Sequence, residues 1–220
     1  MAGTIIVDKV QLDVGQDTLR VLANTGSTIF TANTLGINAA SLGYGTVPVA
    51  QIPQLTTAKM PTGSVLQVVS AIKTDTFSFS VTERTWTSVT GLSASITPSS
   101  ASNKVLVTAV VSVSATNTYN AMGGRVTRNG SVVAVGNTAG TRASAFFGSD
   151  DWLSAAYANQ AQIYISFLDS PSTTSAVTYQ LQLINDRDTD TIYVNRSQYD
   201  GDSSQTFRNA SSITVMEIAA

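Results

Sequence analysis

Residues 104–115, KVLVTAVVSVSA, alternate with a period of two and place Val105, Val107, Ala109, Val111 and Val113 on one side. A helix would spread those five around its circumference; an extended strand lines them up, so the run commits the chain to β structure. Runs of the same kind recur between turn signals. TFSFSV puts Phe77, Phe79 and Val81 together, and VTYQLQLI puts Val177, Tyr179, Leu181 and Leu183 opposite Thr178, Gln180 and Gln182. QIYISFL, TIYV and SSITVMEIA continue the series, and SVLQVVSAI is apolar on both faces, which reads as a strand buried on both sides. Asn129-Gly130 inside VTRNGSVVAV is a strong two-residue hairpin signal, because a type I′ turn needs positive φ twice. Some eight to ten strands over about 155 residues predict a β-sandwich, with a jelly roll fitting best. One segment breaks the pattern: SDDWLSAAYANQ suggests a turn of helix capped by Ser149.

The predicted class is therefore all-β, in three parts. Residues 64–220 form the sandwich. Residues 46–63 carry Pro48, Pro53 and Pro61 without a period and read as an extended linker, since proline is excluded from central strands. Residues 1–45 hold short strands, TLRVLA and STIFTA among them, each too short for a core of its own. The opening MAGTIIVDKVQLD is apolar but interrupted by Asp8, Lys9 and Asp13, so it lacks the unbroken run of a signal peptide or membrane span. Ile6, Val10 and Leu12 share a parity, and a strand entering the fold directly is expected, with no membrane insertion.

Composition narrows function. Charged residues make up 12% of the chain, about half of what is usual, while Ser and Thr supply 57 of 220 positions. Soluble monomers normally carry a mixed charged surface, so sparse charge suggests surface hidden between subunits. A net charge of −2 with 12 basic residues argues against nucleic acid. Arg125, Arg128 and Arg142 come closest to a basic cluster and read as solvated loop charges. Without cysteine there are no disulfides or thiolate metal sites. Without histidine the usual general base is missing, as are the nucleophilic triads built on it. Glu83 and Glu217 are the only glutamates, and most aspartates fall in turns. No enzyme activity, catalytic residue or cofactor is expected.

For metal, Asp186, Asp188 and Asp190 alternate in NDRDTDT as the oxygens of a calcium loop do. Thr191 and Ser197 stand where such a loop needs glycine and an acidic residue, so a polar hairpin loop is the favoured reading. For recognition, Trp152, Tyr157 and Tyr199 fall in loops, and aromatic side chains there suit sugar or protein contact. The loops richest in such groups are 149–159 and 186–208, the latter with Asp188, Tyr199 and Arg208.

MAGTIIVDKVQLD, MPTGSVLQVV, GLSASITPSSASNKVLV and SSITVMEIA together resemble fibre-like virion proteins of tailed bacteriophages, particularly marine and cyanobacterial ones. The resemblance spans most of the chain. It implies a homotrimer, an N-terminal segment bound to other virion proteins, and a distal knob similar to the C1q/TNF-type trimeric jelly roll. That knob would bind a host cell-surface glycan or protein. Assembly would take place in the bacterial cytoplasm and the final location would be the virion. A head-attached decoration fibre and a polysaccharide-degrading tailspike are the alternatives.

Overall fold

The computed structural model describes residues 18–22, 28–33, 36–37, 60–80, 84–116, 122–149, 160–185 and 190–220, with backbone alone for the first three ranges. It divides into two units, Met1–Gln54 and Leu55–Ala220, and the division falls inside the proline-bearing stretch 46–63. In the first unit β1 (Thr18–Leu22), β2 (Thr28–Asn33) and β3 (Gly36–Ile37) form an antiparallel meander in chain order. The strand expected through Ile6, Val10 and Leu12 lies outside the described residues.

The second unit is an all-β sandwich of two antiparallel sheets. The larger sheet contains β4 (Val65–Lys73), β5 (Phe77–Ser80), β7 (Lys104–Ala115), β11 (Ala161–Asp169), β13 (Thr191–Val194) and β14 (Ser211–Ile218). The smaller contains β6 (Thr87–Ile96), β8 (Met122–Arg128), β9 (Ser131–Val133), β10 (Phe147–Ser149) and β12 (Val177–Asn185). In the larger sheet β7 is central. β14 pairs with its residues 104–110 and β13 with 113–115, while β11 runs along 105–113. The order β4-β14-β7-β11 faces β6-β12-β8, and the chain crosses between the layers at β5–β6, β6–β7, β7–β8, β10–β11, β11–β12 and β12–β13, as in a jelly-roll-like sandwich.

The alternation seen in the sequence sets the core. Val105, Val107, Val111 and Val113 of β7 are fully buried and meet Tyr179, Leu181 and Leu183 of β12, with Ile213 and Val215 of β14 beside them. Asn129 (φ 48°) and Gly130 (φ 83°) make the expected tight turn between β8 and β9, and Asn129 Oδ1 accepts from the Thr178 amide at 2.8 Å. Two polar groups tie the ends of the sandwich. Asp169 Oδ2 accepts from the Tyr179 hydroxyl at 2.7 Å and from Arg128 at 2.6 Å, joining β8, β11 and β12 across the layers. Glu217, 1% exposed, accepts from the Ser99 amide (2.6 Å), Ser99 Oγ (2.7 Å) and Asn103 Nδ2 (2.6 Å). Burial pushes the Glu217 carboxyl up, but the bonds from Asn103 and Ser99 outweigh it and hold the group below its ordinary range.

Ser149 ends β10, paired in the ladder with Met122, and the turn of helix expected after it lies outside the described residues. Two expectations are corrected. Arg125 and Arg128 are not loop charges but strand residues of β8. Arg125 lies 4.1 Å over the Trp86 ring and donates to Gln182 at 2.8 Å, and Arg128 pairs with Asp169. SVLQVVSAI is not buried on both faces: its Val65, Val68 and Ile72 are 50%, 55% and 69% exposed, and among the described residues β4 pairs with β14 alone. Its sequence is two-sided, but its own chain covers one side among the described residues.

Candidate functional site

β13 and β14 use the same edge of β7 but are separated along it, Val194 opposite Val113 and Ser212 opposite Val110. The connection between them must therefore leave the sheet and return close to where it left. Asn195 makes the exit in the left-handed region (φ 64°), which asparagine tolerates because its short side chain bonds locally. Its Nδ2 donates to the carbonyls of Lys73 (2.8 Å) and Asp75 (2.9 Å), and its Oδ1 accepts from Ser211 Oγ at 2.5 Å. Asn209 closes the base, its amide donating to Asn195 O at 3.1 Å and its Nδ2 to Ser112 Oγ and Gln160 Oε1, both at 2.8 Å. A long loop is thus pinned at its neck by two asparagines.

Beyond the neck the loop is organised by charge. Asp200 Oδ2 receives Arg208 at 2.6 Å and Arg196 at 3.3 Å. Arg196 is further fixed by the Tyr193 ring 4.3 Å beneath it and by the carbonyls of Ser197 and Gln198. Arg208 is 59% exposed, so its pair with Asp200 positions more than it stabilises, about 0–1 kcal/mol. Thr206 Oγ1 donates to the carbonyls of Gly201 and Ser203, both at 2.9 Å. A cleft of about 310 Å³ opens here, with Asp200, Asp202, Phe207 and Arg208 on its walls. Tyr199 and Phe207 stand exposed at 53% and 66%, and the Tyr199 ring lies against Gly201 so closely that a Cβ there would strike it. Aromatic faces beside a fixed carboxylate and a partly exposed guanidinium suit a polar ligand with apolar patches, the character of a sugar ring. Nothing in the loop supplies a nucleophile with a neighbouring base.

Of the residues singled out in the sequence, Tyr199 and Arg208 come together in this loop. Trp152, Tyr157, Asp186 and Asp188 lie outside the described residues. Asp190 is buried, one residue before β13, and no group of three or more metal-binding side chains occurs among the described residues. Sequence reasoning passed over Phe207, Arg196 and Gly201. Phe207 and Arg208 are adjacent, and an aromatic beside an arginine in a turn-rich stretch was the signal available for them.

No family model matches the chain, and no curated protein matches it. Among solved structures it is similar to a chain in the structure of infectious bursal disease virus Gx strain, at 11% identity and a TM-score of 0.38. The similarity covers 77% of this chain and 41% of that one, so this chain spans about two fifths of the other's length. Similarity at that level carries no residue-by-residue correspondence.

Proposed function

We propose that the chain is a structural subunit of a tailed-phage appendage, a homotrimeric fibre with an N-terminal attachment unit and a knob that contacts the host surface. The observation that carries the recognition role is the 195–209 loop, where Tyr199 and Phe207 are held in the open beside a polar cleft on a scaffold of buried strands. The motifs that resemble phage fibre proteins support the same reading. MPTGSVLQVV leads into β4, GLSASITPSSASNKVLV spans the β6–β7 connection and SSITVMEIA forms β14. Weak contacts repeated on three subunits would act together through avidity, so a shallow cleft suffices. The ligand class is a cell-surface glycan or protein, and no chemical step is assigned.

Competition with phage adsorption tests this. Purified full-length protein should reduce adsorption of the phage to its host cells, and Tyr199→Ala or Phe207→Ala should weaken that competition while the melting temperature stays close to the parent's. A parent protein that neither binds cells nor competes would overturn the recognition role and leave a decoration fibre as the better account.

A further inference from the structure

Arg125 stands in the outward row Ser88, Gln182, Arg125 of the smaller sheet, and its guanidinium has both a floor and a tether. Its Cζ lies 4.1 Å from the centre of the half-buried Trp86 ring, and its Nε donates to Gln182 Oε1 at 2.8 Å. Gln182 Nε2 in turn donates to Ser88 Oγ at 3.2 Å, which keeps the amide oxygen turned toward the arginine. A guanidinium held over a ring and bonded at Nε has one edge left for a further partner, the pair of terminal nitrogens. Among the described residues those two nitrogens form no hydrogen bond and no ion pair.

Other cations of the sandwich are matched. Lys73, Arg128, Arg196 and Arg208 each meet an aspartate within 3.3 Å. Arg125 is half-buried, and burial pushes its pKa down with no opposing anion among the described residues. Two more arginines gather at the same end of the sheet. The Arg84 amide donates to Asn185 O at 3.1 Å, which holds the segment leading to Trp86 beside the end of β12. Arg84 Nη2 donates to Thr141 O, and Arg142, the next residue, is exposed. In a chain of net charge −2 this is a local positive surface, bordered by rows of hydroxyls and amides. We propose that Arg125 anchors a second recognition site, which takes the carboxylate of an acidic sugar. A planar carboxylate accepts both terminal N–H groups in the plane of the fork. Ser88, exposed in the same row, supplies a hydroxyl to the ring that bears it. The site rests on the reading that the chain contacts glycan, but it lies on a different surface from the 195–209 loop.

Binding of the full-length protein to polygalacturonate and to its methyl ester, at one ionic strength, tests the proposal. The ester has the same backbone without the charge, and the acid should bind about tenfold more tightly. Arg125→Lys keeps the charge and loses the fork, so it should weaken binding of the acid several-fold, and Arg125→Gln should weaken it about tenfold. In the parent, where no folding defect of a variant intrudes, the polymer should protect Arg125 from phenylglyoxal, read by peptide mass mapping. Equal binding of acid and ester, or an Arg125 that stays reactive, would overturn the site. Protection of Arg208 alone would overturn it and leave the loop reading standing, whereas protection of Arg125 alone would uphold it and count against the loop. Inorganic phosphate that protects Arg125 as well as galacturonate does would overturn the carboxylate class. Glu83 precedes Arg84 and lies outside the described residues. Protection that appears only in Glu83→Gln would show the chain's own carboxylate on the fork, and would overturn the site in the native protein.

Discussion

The two sheets of the sandwich have the same interior and opposite exteriors. On the smaller sheet the outward rows are Ser88, Gln182 and Arg125, then Ser93, Gln180 and Thr127, with Ser95 beside Thr178. These side chains bond one another: Arg125 to Gln182 at 2.8 Å, Gln182 to Ser88 at 3.2 Å, Ser95 to Thr178 at 2.6 Å. On the larger sheet the rows Val68, Met216, Leu106, Leu168 and Ile72, Ser212, Val110, Tyr164 flank a hydroxyl row of Ser70, Thr214, Thr108 and Ser166. Among the described residues one exterior is tied together by its own hydrogen bonds, and the other leaves Val68, Ile72, Tyr164 and Leu168 exposed. The difference teaches that sparse charge in this sequence has two distinct sources. Amides and hydroxyls around the single cation Arg125 stand in for charge in the rows of one face, and apolar rows flanking a hydroxyl row do so on the other.

The strongest way to break this comparison is to put a charge on each face. Leu168→Lys or Ile72→Lys should disperse the proposed homotrimer where its subunits bury these side chains, since an unpaired charge forced into a desolvated contact costs about 3–5 kcal/mol. Thr90→Lys, on an exposed β6 position of the polar sheet, should leave the mass unchanged. Sedimentation velocity reads both, and equal behaviour of the two variants would erase the distinction between the faces.

A smaller effect sharpens the polar side. Between Gln180 and Gln182 the ladder shifts so that residues 89–92 of β6 stand opposite Leu181 alone, with Gly91 at φ 86° in the bulge. Gln180 Nε2 satisfies the bulge by donating to Val89 O (2.9 Å) and Leu92 O (3.0 Å). Gln180→Ala leaves those carbonyls without it and should cost about 1–3 kcal/mol in chemical denaturation, without changing the assembled mass.

The smallest effect belongs to the charge kept between the faces. Because the Glu217 carboxyl is held below its ordinary range, it contributes stability above about pH 4.3, and that stability is lost as pH falls through its lowered value. Glu217→Gln should lower the melting temperature at neutral pH by an amount matching about 1 kcal/mol. The gap to the parent should narrow in acid; a constant gap at every pH would show that the carboxylate's charge is not what holds Ser99 and Asn103.

Period-two alternation made the interior legible from sequence. Val105 to Val113 and Val177 to Leu183 fall on the buried side as their parity requires, and Asn129-Gly130 turns where its backbone preference says. Parity reports which residues share a face, not what lies against it. Val65, Val68 and Ile72 in β4 therefore read as doubly buried, although all three are exposed. The loop was legible in part for the same kind of reason. Tyr199 and Arg208 announced a recognition surface by residue type, but the convergence of Arg196 and Arg208 on Asp200 depends on the neck closed by Asn195 and Asn209. No local pattern encodes that closure, because its partners Lys73, Ser112 and Gln160 come from distant parts of the chain.

Light scattering of the full-length chain from low to molar salt tests the central claim most directly. Uncharged contacts between subunits of the proposed homotrimer are insensitive to screening, whereas ion pairs at a surface weaken within a Debye length of about 3 Å at 1 M salt. The account predicts a mass of three times 23.0 kDa throughout the range. A 23.0 kDa particle at any salt concentration, or a trimer that falls apart as salt rises, would contradict it.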